Sequence, residues 1–177
     1  MSLDLGKKFL SQKNFKDAEK IFLDLNKNNN NFEINYNLAI INFELKNIKK
    51  SLSFFDKCKK IEPKSLNTYL KVAYLEQSTG DIEKSLSTYL KVLDINIRDI
   101  RAYYGIFTLK PNFLKTSHFE IIKQINDNPN ANILEKFLSK FLLSKKEKKE
   151  RNFEKELAFL NNSHSLCFDF KKDYNLQ

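Results

Sequence analysis

The segment Ile48-Lys-Lys-Ser-Leu-Ser-Phe-Phe55 decides the fold, because its pattern occurs three times in the chain. It superposes without gaps on Phe15-Lys-Asp-Ala-Glu-Lys-Ile-Phe22 and on Ile82-Glu-Lys-Ser-Leu-Ser-Thr-Tyr89. Each segment has a large apolar residue, a small residue three positions later and an aromatic residue four positions after that. The small residues are 33 and then 34 positions apart. This period predicts a repeated helix pair, with the small side chain where the two helices cross most closely.

A second apolar-periodic segment precedes each copy of the pattern, and a short polar break separates the two. Apolar positions three and four residues apart are typical of an amphipathic helix, and polar or glycine-containing breaks end helices. Each unit is therefore predicted to be a helix, a tight turn and a helix. The breaks are Lys13-Asn14, Lys46-Asn47 and Thr79-Gly80-Asp81, and the first helices are predicted over Leu3–Gln12, Asn35–Leu45 and Tyr69–Gln77.

Two further units follow with a weaker pattern. The segment 102–107 is typical of a first helix, and Phe113–Ile125 is predicted to be an irregular, bent second helix. Ile133–Lys149 is a long apolar-periodic helix, and 152–163 repeats the second-helix pattern with Glu156 at the small-residue position. The sequence thus predicts an all-α protein, an α-solenoid of about five antiparallel helix pairs. The predicted repeats lie near 2–31, 34–63, 68–97, 99–128 and 131–168, within one domain (1–168), with 169–177 as a tail or linker.

Composition agrees with a helical protein and argues against a nucleic-acid partner. Three glycines and three prolines are too few for a turn-rich sheet protein. The formal charge of +9 comes almost entirely from lysine and is spread along the chain, since arginine occurs only at Arg98, Arg101 and Arg151. Bidentate recognition of phosphates and bases generally uses the arginine fork. Nucleic-acid binding is therefore not expected.

The cysteines and the N-terminus indicate a cytoplasmic setting. Cys58 and Cys167 are isolated thiols without the spacing of a disulfide framework or a zinc site, which is typical of a reducing compartment. The first residues show no basic segment followed by an apolar run. No apolar stretch approaches the length needed to cross a bilayer, so no membrane association is expected.

No group of residues points to catalysis, a metal or a cofactor, so the chain itself is not expected to be an enzyme. His118 and His164 lie in separate helical units without ligand spacing, and a structural or solvent-facing role is expected for both. The three glycines stand alone, which excludes a phosphate-cradling loop. The densest charge run, Lys145–Arg151, contains interleaved glutamates and favours a solvated turn, with an anion-binding patch as the alternative.

The repeat resembles the tetratricopeptide repeat, whose roughly 34-residue signature places Leu-Gly and Tyr in the first helix and Ala, Phe and Ala in the second. Leu5-Gly6, Leu38-Ala39 and Val72-Ala73 fit the first-helix sites. Asn42 and Glu76 depart from the signature, because they stand at the position where it has the aromatic residue of the first helix. The resemblance implies a right-handed superhelix with the first helices lining a concave groove that binds a protein or peptide.

By this resemblance ten residues are expected to face the groove. Packing between repeats is an equal alternative for the aromatic ones. Asn37 and Lys71 also coincide with two sites of the carboxylate clamp of some relatives, but Leu3, Lys7 and Asn67 do not match the others, so a cochaperone role is not expected. The expected groove residues are Tyr36, Asn37, Ile40, Phe43, Asn67, Leu70, Lys71, Tyr74, Arg101 and Tyr104.

The last part of the chain has a second resemblance. The stretch from Phe141 to His164, followed by Tyr174-Asn175, is similar to the helix pair that joins tetratricopeptide repeats to the sulfotransferase domain of bacterial two-domain proteins. This implies that the chain is the non-catalytic N-terminal region of a larger protein whose missing domain transfers sulfate. The alternative is a stand-alone adaptor that forms homo-oligomers through apolar surface at the ends of the array.

Overall fold

The computed structural model of the protein describes residues 2–174, with the backbone alone at position 28 and at 168–174. Within this range there are ten α-helices, one 3₁₀ turn (Pro111–Phe113) and no strand. None of the described helices combines the length and the apolar character needed to cross a membrane. The helices are α1 (Leu3–Ser11), α2 (Phe15–Asn28), α3 (Phe32–Glu44), α4 (Ile48–Ile61), α5 (Leu66–Ser78), α6 (Ile82–Ile95), α7 (Ile100–Leu109), α8 (Thr116–Asn126), α9 (Ile133–Lys149) and α10 (Phe153–Tyr174).

The all-α fold of five helix pairs is confirmed, and α9 has the predicted ends. Helices α3 and α5 begin one turn earlier than predicted, at Phe32 and Leu66. In α3 the cause is a cap, because the side-chain Oδ1 of Asn31 accepts the backbone N–H of Ile34 at 2.9 Å. This bond satisfies one of the first N–H groups of the helix, which have no partner within it.

Four of the five pairs are joined by the same tight turn. A residue with positive φ follows the first helix in each: Lys13 (57°), Lys46 (61°), Gly80 (83°) and Arg151 (59°). The next residue, an asparagine or aspartate, donates its backbone N–H to the carbonyl five positions earlier, at 2.8–2.9 Å. This is a Schellman arrangement, which satisfies the last helical carbonyls while the chain reverses. The polar breaks in the sequence are therefore the helix-ending turns themselves.

The small residues of the repeat lie where the helices of a pair meet. Ala18, Ser51 and Ser85 are all fully buried. The hydroxyls of the two serines donate to carbonyl oxygens of the preceding helix, from Ser51 to Ala39 and from Ser85 to Ala73, each at 2.8 Å. A hydroxyl can reach a neighbouring backbone in this way only if the two helices approach closely. The structure thus supplies the physical reason for the small residue in the sequence pattern.

The fourth pair is irregular as predicted, but its second helix begins at Thr116, three residues later than the predicted start at Phe113. Helix α7 ends at Leu109, a 3₁₀ turn covers Pro111–Phe113, and α8 begins only at Thr116. Lys110 is extended (φ −142°, ψ 85°), and proline, which follows it, has no N–H with which to continue the helix. This pair consequently has a longer connection in place of the Schellman turn.

In the fifth pair, the buried serine of the second helix that bonds to the first helix lies further along the chain than in the second and third pairs. Glu156, at the predicted small-residue position, is largely buried and lies 3.9 Å from the ammonium of Lys148, Oε1 to Nζ. Ser163, two turns later, is fully buried and donates its hydroxyl to the carbonyl of Phe137 at 3.2 Å. The contact between the two helices is therefore displaced along α10 relative to the first three pairs.

The chain divides into two compact units, residues 1–88 and 89–177, and the division falls within α6. Each unit has its own buried side chains. The single repeat domain predicted over 1–168 stays a prediction, and residues 175–177 of the predicted tail lie outside the described residues. The N-terminal unit buries Phe22, Leu38, Ile41, Phe55, Val72 and Leu75. The C-terminal unit buries Val92, Tyr103, Ile106, Ile122 and Leu142.

Tyr103 of α7 is fully buried, and its hydroxyl has no hydrogen-bond partner among the described residues. Burial also raises the pKa of this phenol. We expect Tyr103→Phe to increase the free energy of unfolding by about 1 kcal/mol, because the ring packing stays and an unpaired polar atom is removed from the core. Urea unfolding followed by circular dichroism measures the change, with Tyr104→Phe on the exposed side of the same helix as control. A less stable Tyr103→Phe protein would mean that the hydroxyl is hydrogen-bonded in solution.

Candidate functional site

The expected groove residues fall into both units. Eight of the ten lie on α3 and α5 in the N-terminal unit, and Arg101 and Tyr104 lie on α7 in the C-terminal unit.

On α3 the three apolar candidates serve mainly as packing. Tyr36, Ile40 and Phe43 are half-buried and pack against a cluster formed by Ala39, Phe55, Val72 and Leu75. The ring of Tyr36 stacks on Phe32 at 5.6 Å between centroids and meets Phe55 edge-on at 5.8 Å. These contacts agree with the packing alternative for Tyr36, and its place in the groove stays a prediction.

An exposed aromatic surface lies beside this cluster. The ring of Tyr74 on α5 is 54% exposed and meets the ring of Phe43 on α3 edge-on at 6.0 Å. The ammonium of Lys46 lies 5.6 Å from the centre of the Phe43 ring. Lys71 is exposed one turn before Tyr74 and so shares its helix face. We call Phe43, Lys46, Lys71 and Tyr74 the Tyr74 patch.

The remaining candidates in the N-terminal unit, Asn37, Leu70 and Asn67, lie outside the Tyr74 patch as defined here. The side-chain amide of Asn37 donates to the carbonyl of Glu33 in its own helix at 2.9 Å. Glu33 in turn forms an ion pair with Lys7 of α1 at 2.6 Å, and this hydrogen bond raises the pKa of the Lys7 ammonium. Leu70 is half-buried and Asn67 is exposed. Sequence reasoning missed the charged pair, because nothing in the spacing of two residues on different helices indicates that they meet.

In the C-terminal unit the two candidates are engaged within the protein. The guanidinium of Arg101 binds Asp99 through two nitrogens, Nη2 to Oδ2 at 2.6 Å and Nε to Oδ1 at 3.0 Å. Asp99 is nearly buried and also caps α7 by accepting the backbone N–H of Arg101. The ring of Tyr104 meets Phe141 of α9 edge-on at 5.8 Å. Arg101 thus stabilises the start of its helix, and Tyr104 belongs to an aromatic contact between α7 and α9.

A pocket of about 780 Å³ lies in the C-terminal unit, between the ends of α7 and α9, the 3₁₀ turn and the start of α8. Its apolar part is formed by Phe107, Pro111, Leu114 and Phe119. Five lysines, Glu150, Asn112 and Thr116 complete its lining. We call this the lysine pocket; its lysines are Lys115, Lys145, Lys146, Lys148 and Lys149. The charge run at the end of α9 was visible in the sequence, but its apolar neighbours come from the irregular connection of the fourth pair.

The cysteines and histidines in the described residues show no arrangement for chemistry. No group of three or more potential metal-binding side chains occurs there. Cys58 is fully buried with its sulfur 3.8 Å from the carbonyl oxygen of Phe32, and burial raises the pKa of the thiol to about 11. The Nδ1 of His118 accepts the backbone N–H of Lys115 at the start of α8, and burial and the Lys115 charge lower the pKa of this imidazole. The thiolate form of Cys58 and the charged form of His118 are thus both disfavoured.

Comparison with known proteins agrees with the repeat pattern. Residues 32–65, which contain α3 and α4, match the family model of the tetratricopeptide repeat. A search of curated proteins gives no significant match in sequence.

Solved structures resemble this chain over nearly its whole length. A crystal structure of MamA has a TM-score of 0.68 at 11% sequence identity, with 97% of this chain and 99% of that one covered. MamA 41-end from Desulfovibrio magneticus RS-1 has a TM-score of 0.66 at 14% identity, covering 94% and 93%. A thermophilic TPR protein of Thermus thermophilus has a TM-score of 0.58 at 16% identity, covering 98% and 95%. The fold is that of tetratricopeptide-repeat solenoids. At these identities the similarity shows the fold alone.

Proposed function

We propose that the chain is a non-catalytic scaffold that binds an extended peptide or a helix of a partner protein on the first helices of its repeats, with the Tyr74 patch as the anchor. The observation that carries this proposal is the exposed ring of Tyr74 against Phe43. An aromatic ring held by a second ring loses little freedom when it is covered by a partner. Such aromatic residues dominate the binding energy of many interfaces.

The charges around the patch limit the kind of partner. Lys46 and Lys71 flank the two rings. A partner segment that places an apolar side chain on the rings and a carboxylate beside it would satisfy both features. The family match over 32–65 supports the proposal, because that segment contains α3 and the turn with Lys46.

The test uses peptides selected by the full chain from a displayed random library. We expect Tyr74→Ala to weaken binding of the selected peptides about tenfold or more, and Lys71→Glu about fivefold, because the first removes the anchor and the second reverses a flanking charge. Isothermal calorimetry on each variant measures both changes.

Matched controls come from the second helix of the neighbouring pair. Ile61 and Lys49 on α4 are exposed and lie outside the patch, so Ile61→Ala and Lys49→Glu remove a similar side chain or charge. If the peptides bind the Tyr74→Ala and Lys71→Glu variants with the same affinity as the unchanged protein, the patch is not the binding site.

A finer proposal concerns the protein to which the chain belongs. We infer that it is the N-terminal region of a larger bacterial, cytoplasmic sulfotransferase-type protein. The support is the resemblance of the stretch 141–164, which covers the end of α9 and the first half of α10. Sequencing the native reading frame beyond Gln177 tests this. A following strand and phosphate-binding loop would support it, and a stop codon would contradict it.

The alternative is a stand-alone adaptor that self-associates. One observation favours it: Phe153 and Leu157, one turn apart on α10, are 64% and 59% exposed. Two adjacent apolar side chains could be covered by a second copy of the chain. Light scattering decides this point, since a strict monomer at high concentration would exclude self-association.

A further inference from the structure

We infer that the lysine pocket is a second docking site, separate from the Tyr74 patch, and that it takes an acidic segment of a partner protein. The segment would insert an apolar side chain into the pocket and place carboxylates on the lysines around it. The proposal goes beyond the peptide-binding face of α3 and α5, because the pocket lies wholly within the C-terminal unit.

The charge balance of the pocket favours an anionic occupant. Five lysines line it against one carboxylate, that of Glu150. Lys146 pairs with Glu150 at 3.4 Å, and Lys148 with Glu156 at 3.9 Å. Within the described part of the chain, Lys115, Lys145 and Lys149 take part in no ion pair. Bringing so many like charges together costs energy, which an anionic partner relieves.

The apolar part of the pocket requires more than a simple anion. Phe107 and Phe119 are only half-buried, and Leu114 is buried. The ammonium of Lys145 lies 4.8 Å from the centre of the Phe141 ring, and Phe141 in turn meets Phe107 of the pocket edge-on at 6.2 Å. An inorganic ion would leave the apolar surface in water. A large apolar side chain would cover it, and its burial would add to the affinity.

The geometry favours a peptide over a nucleic acid. No arginine lines the pocket, and lysine ammonium groups act as point charges without the paired donors that match a phosphate. A volume of about 780 Å³ is large enough for two side chains together with part of the backbone of a segment that crosses the opening. A carboxylate-rich peptide with one central apolar pair satisfies the charges and the volume together.

The probe is a synthetic peptide with a central Phe-Leu pair flanked on both sides by Asp and Glu, titrated into the full chain by fluorescence anisotropy. We expect binding that weakens as salt is raised. The double variant Lys115→Gln with Lys149→Gln should weaken binding about fivefold, because both lysines are exposed and each contributes a modest amount. Replacing Asp and Glu in the peptide by Asn and Gln should abolish binding.

A second variant tests the pocket without changing charge. Thr116 lines the pocket and is exposed, whereas its exposed neighbour Ser117 does not line it. Thr116→Trp should fill the opening and weaken binding about tenfold or more, and Ser117→Trp should leave it within about twofold.

Matched controls separate the pocket from general attraction. Lys123→Gln with Lys155→Gln also lowers the formal charge from +9 to +7, but neither lysine lines the pocket. Equal loss of binding in this control would overturn the proposal, as would a Thr116→Trp protein that melts normally and binds normally. Single-stranded DNA that binds equally well, with the same loss on Thr116→Trp, would also overturn it. Tyr74→Ala should bind the probe unchanged, so failure here is distinguishable from failure of the Tyr74 patch.

Discussion

Substitution of Gly105 by alanine is expected to lower the free energy of unfolding by about 3 kcal/mol. A Cβ atom at this position in α7 would overlap Cε1, Cζ and Cε2 of the Tyr89 ring. Tyr89 is only 5% exposed, so moving its ring would disturb the side chains packed around it. Alanine by itself favours a helix over glycine by about 1 kcal/mol, so the loss of stability must come from the overlap.

Gly6 provides the matched control for this prediction. A Cβ atom there would lie 2.9 Å from Cε2 and 3.1 Å from Cζ of Phe22, a much milder approach. Phe22 is fully buried, so its ring must move slightly, but the helix preference of alanine offsets part of this cost, and we expect Gly6→Ala to be about 2 kcal/mol less destabilising than Gly105→Ala. Urea unfolding followed by circular dichroism measures both variants. A Gly105→Ala protein as stable as the unchanged one would mean that Tyr89 does not lie against α7.

Substitution of Ser51 by leucine is expected to cost about 3 kcal/mol or more. Ser51 is fully buried between α3 and α4, and its hydroxyl donates to the carbonyl of Ala39 at 2.8 Å. Leucine needs space that the two helices do not leave, and it also removes the hydrogen bond. Both effects act in the same direction, so the helix pair must separate or α4 must shift.

Ser53, two residues later on the same helix, is exposed and gives the control for this substitution. Ser53→Leu should change stability by less than about 0.5 kcal/mol, because it touches no packed surface. Ser51→Ala should cost about 1 kcal/mol, since it removes the hydrogen bond without adding volume. Thermal and urea unfolding of the three variants give the comparison. Equal effects of leucine at positions 51 and 53 would refute the close crossing that the repeat pattern predicts.

The helix pairs and their turns could be predicted from the sequence because each depends on short-range rules. In four pairs a lysine, arginine or glycine is followed by an asparagine or aspartate and then an apolar residue, and this triplet ends one helix and starts the next. The small residue at a fixed distance from the turn marks the crossing, as Ser51 and Ser85 show. Both signals lie within a few residues along the chain, so reading them requires no knowledge of distant contacts.

The connection of the fourth pair and the lysine pocket could not be predicted in this way. Pro111 indicates that the helix ends at or before Lys110, but it does not indicate that α8 begins only at Thr116. The pocket joins Phe107, Lys115 and Lys149 from different helices, which no local spacing brings together. The interpretation of the charge run as a solvated turn considered α9 alone and therefore missed the apolar surface beside it.

The candidate binding residues show a related limit. Residues on the first helices share one periodic pattern, so the sequence cannot tell a side chain that packs on the next helix from one that stays exposed. Tyr36 and Tyr74 were equal candidates, yet the first packs between Phe32 and Phe55 and the second is 54% exposed. Only the positions of the neighbouring helix separate the two roles.

The central claim, that a partner binds across the Tyr74 patch, is tested most directly by site-specific photo-crosslinking. A photoreactive phenylalanine derivative replaces Tyr74 in one protein and Ile61 in another, both exposed positions in the N-terminal unit. Each protein is irradiated with a selected peptide, and the products are sequenced by mass spectrometry. The account predicts a peptide adduct from position 74 and none from position 61. An adduct from position 61 alone would contradict it.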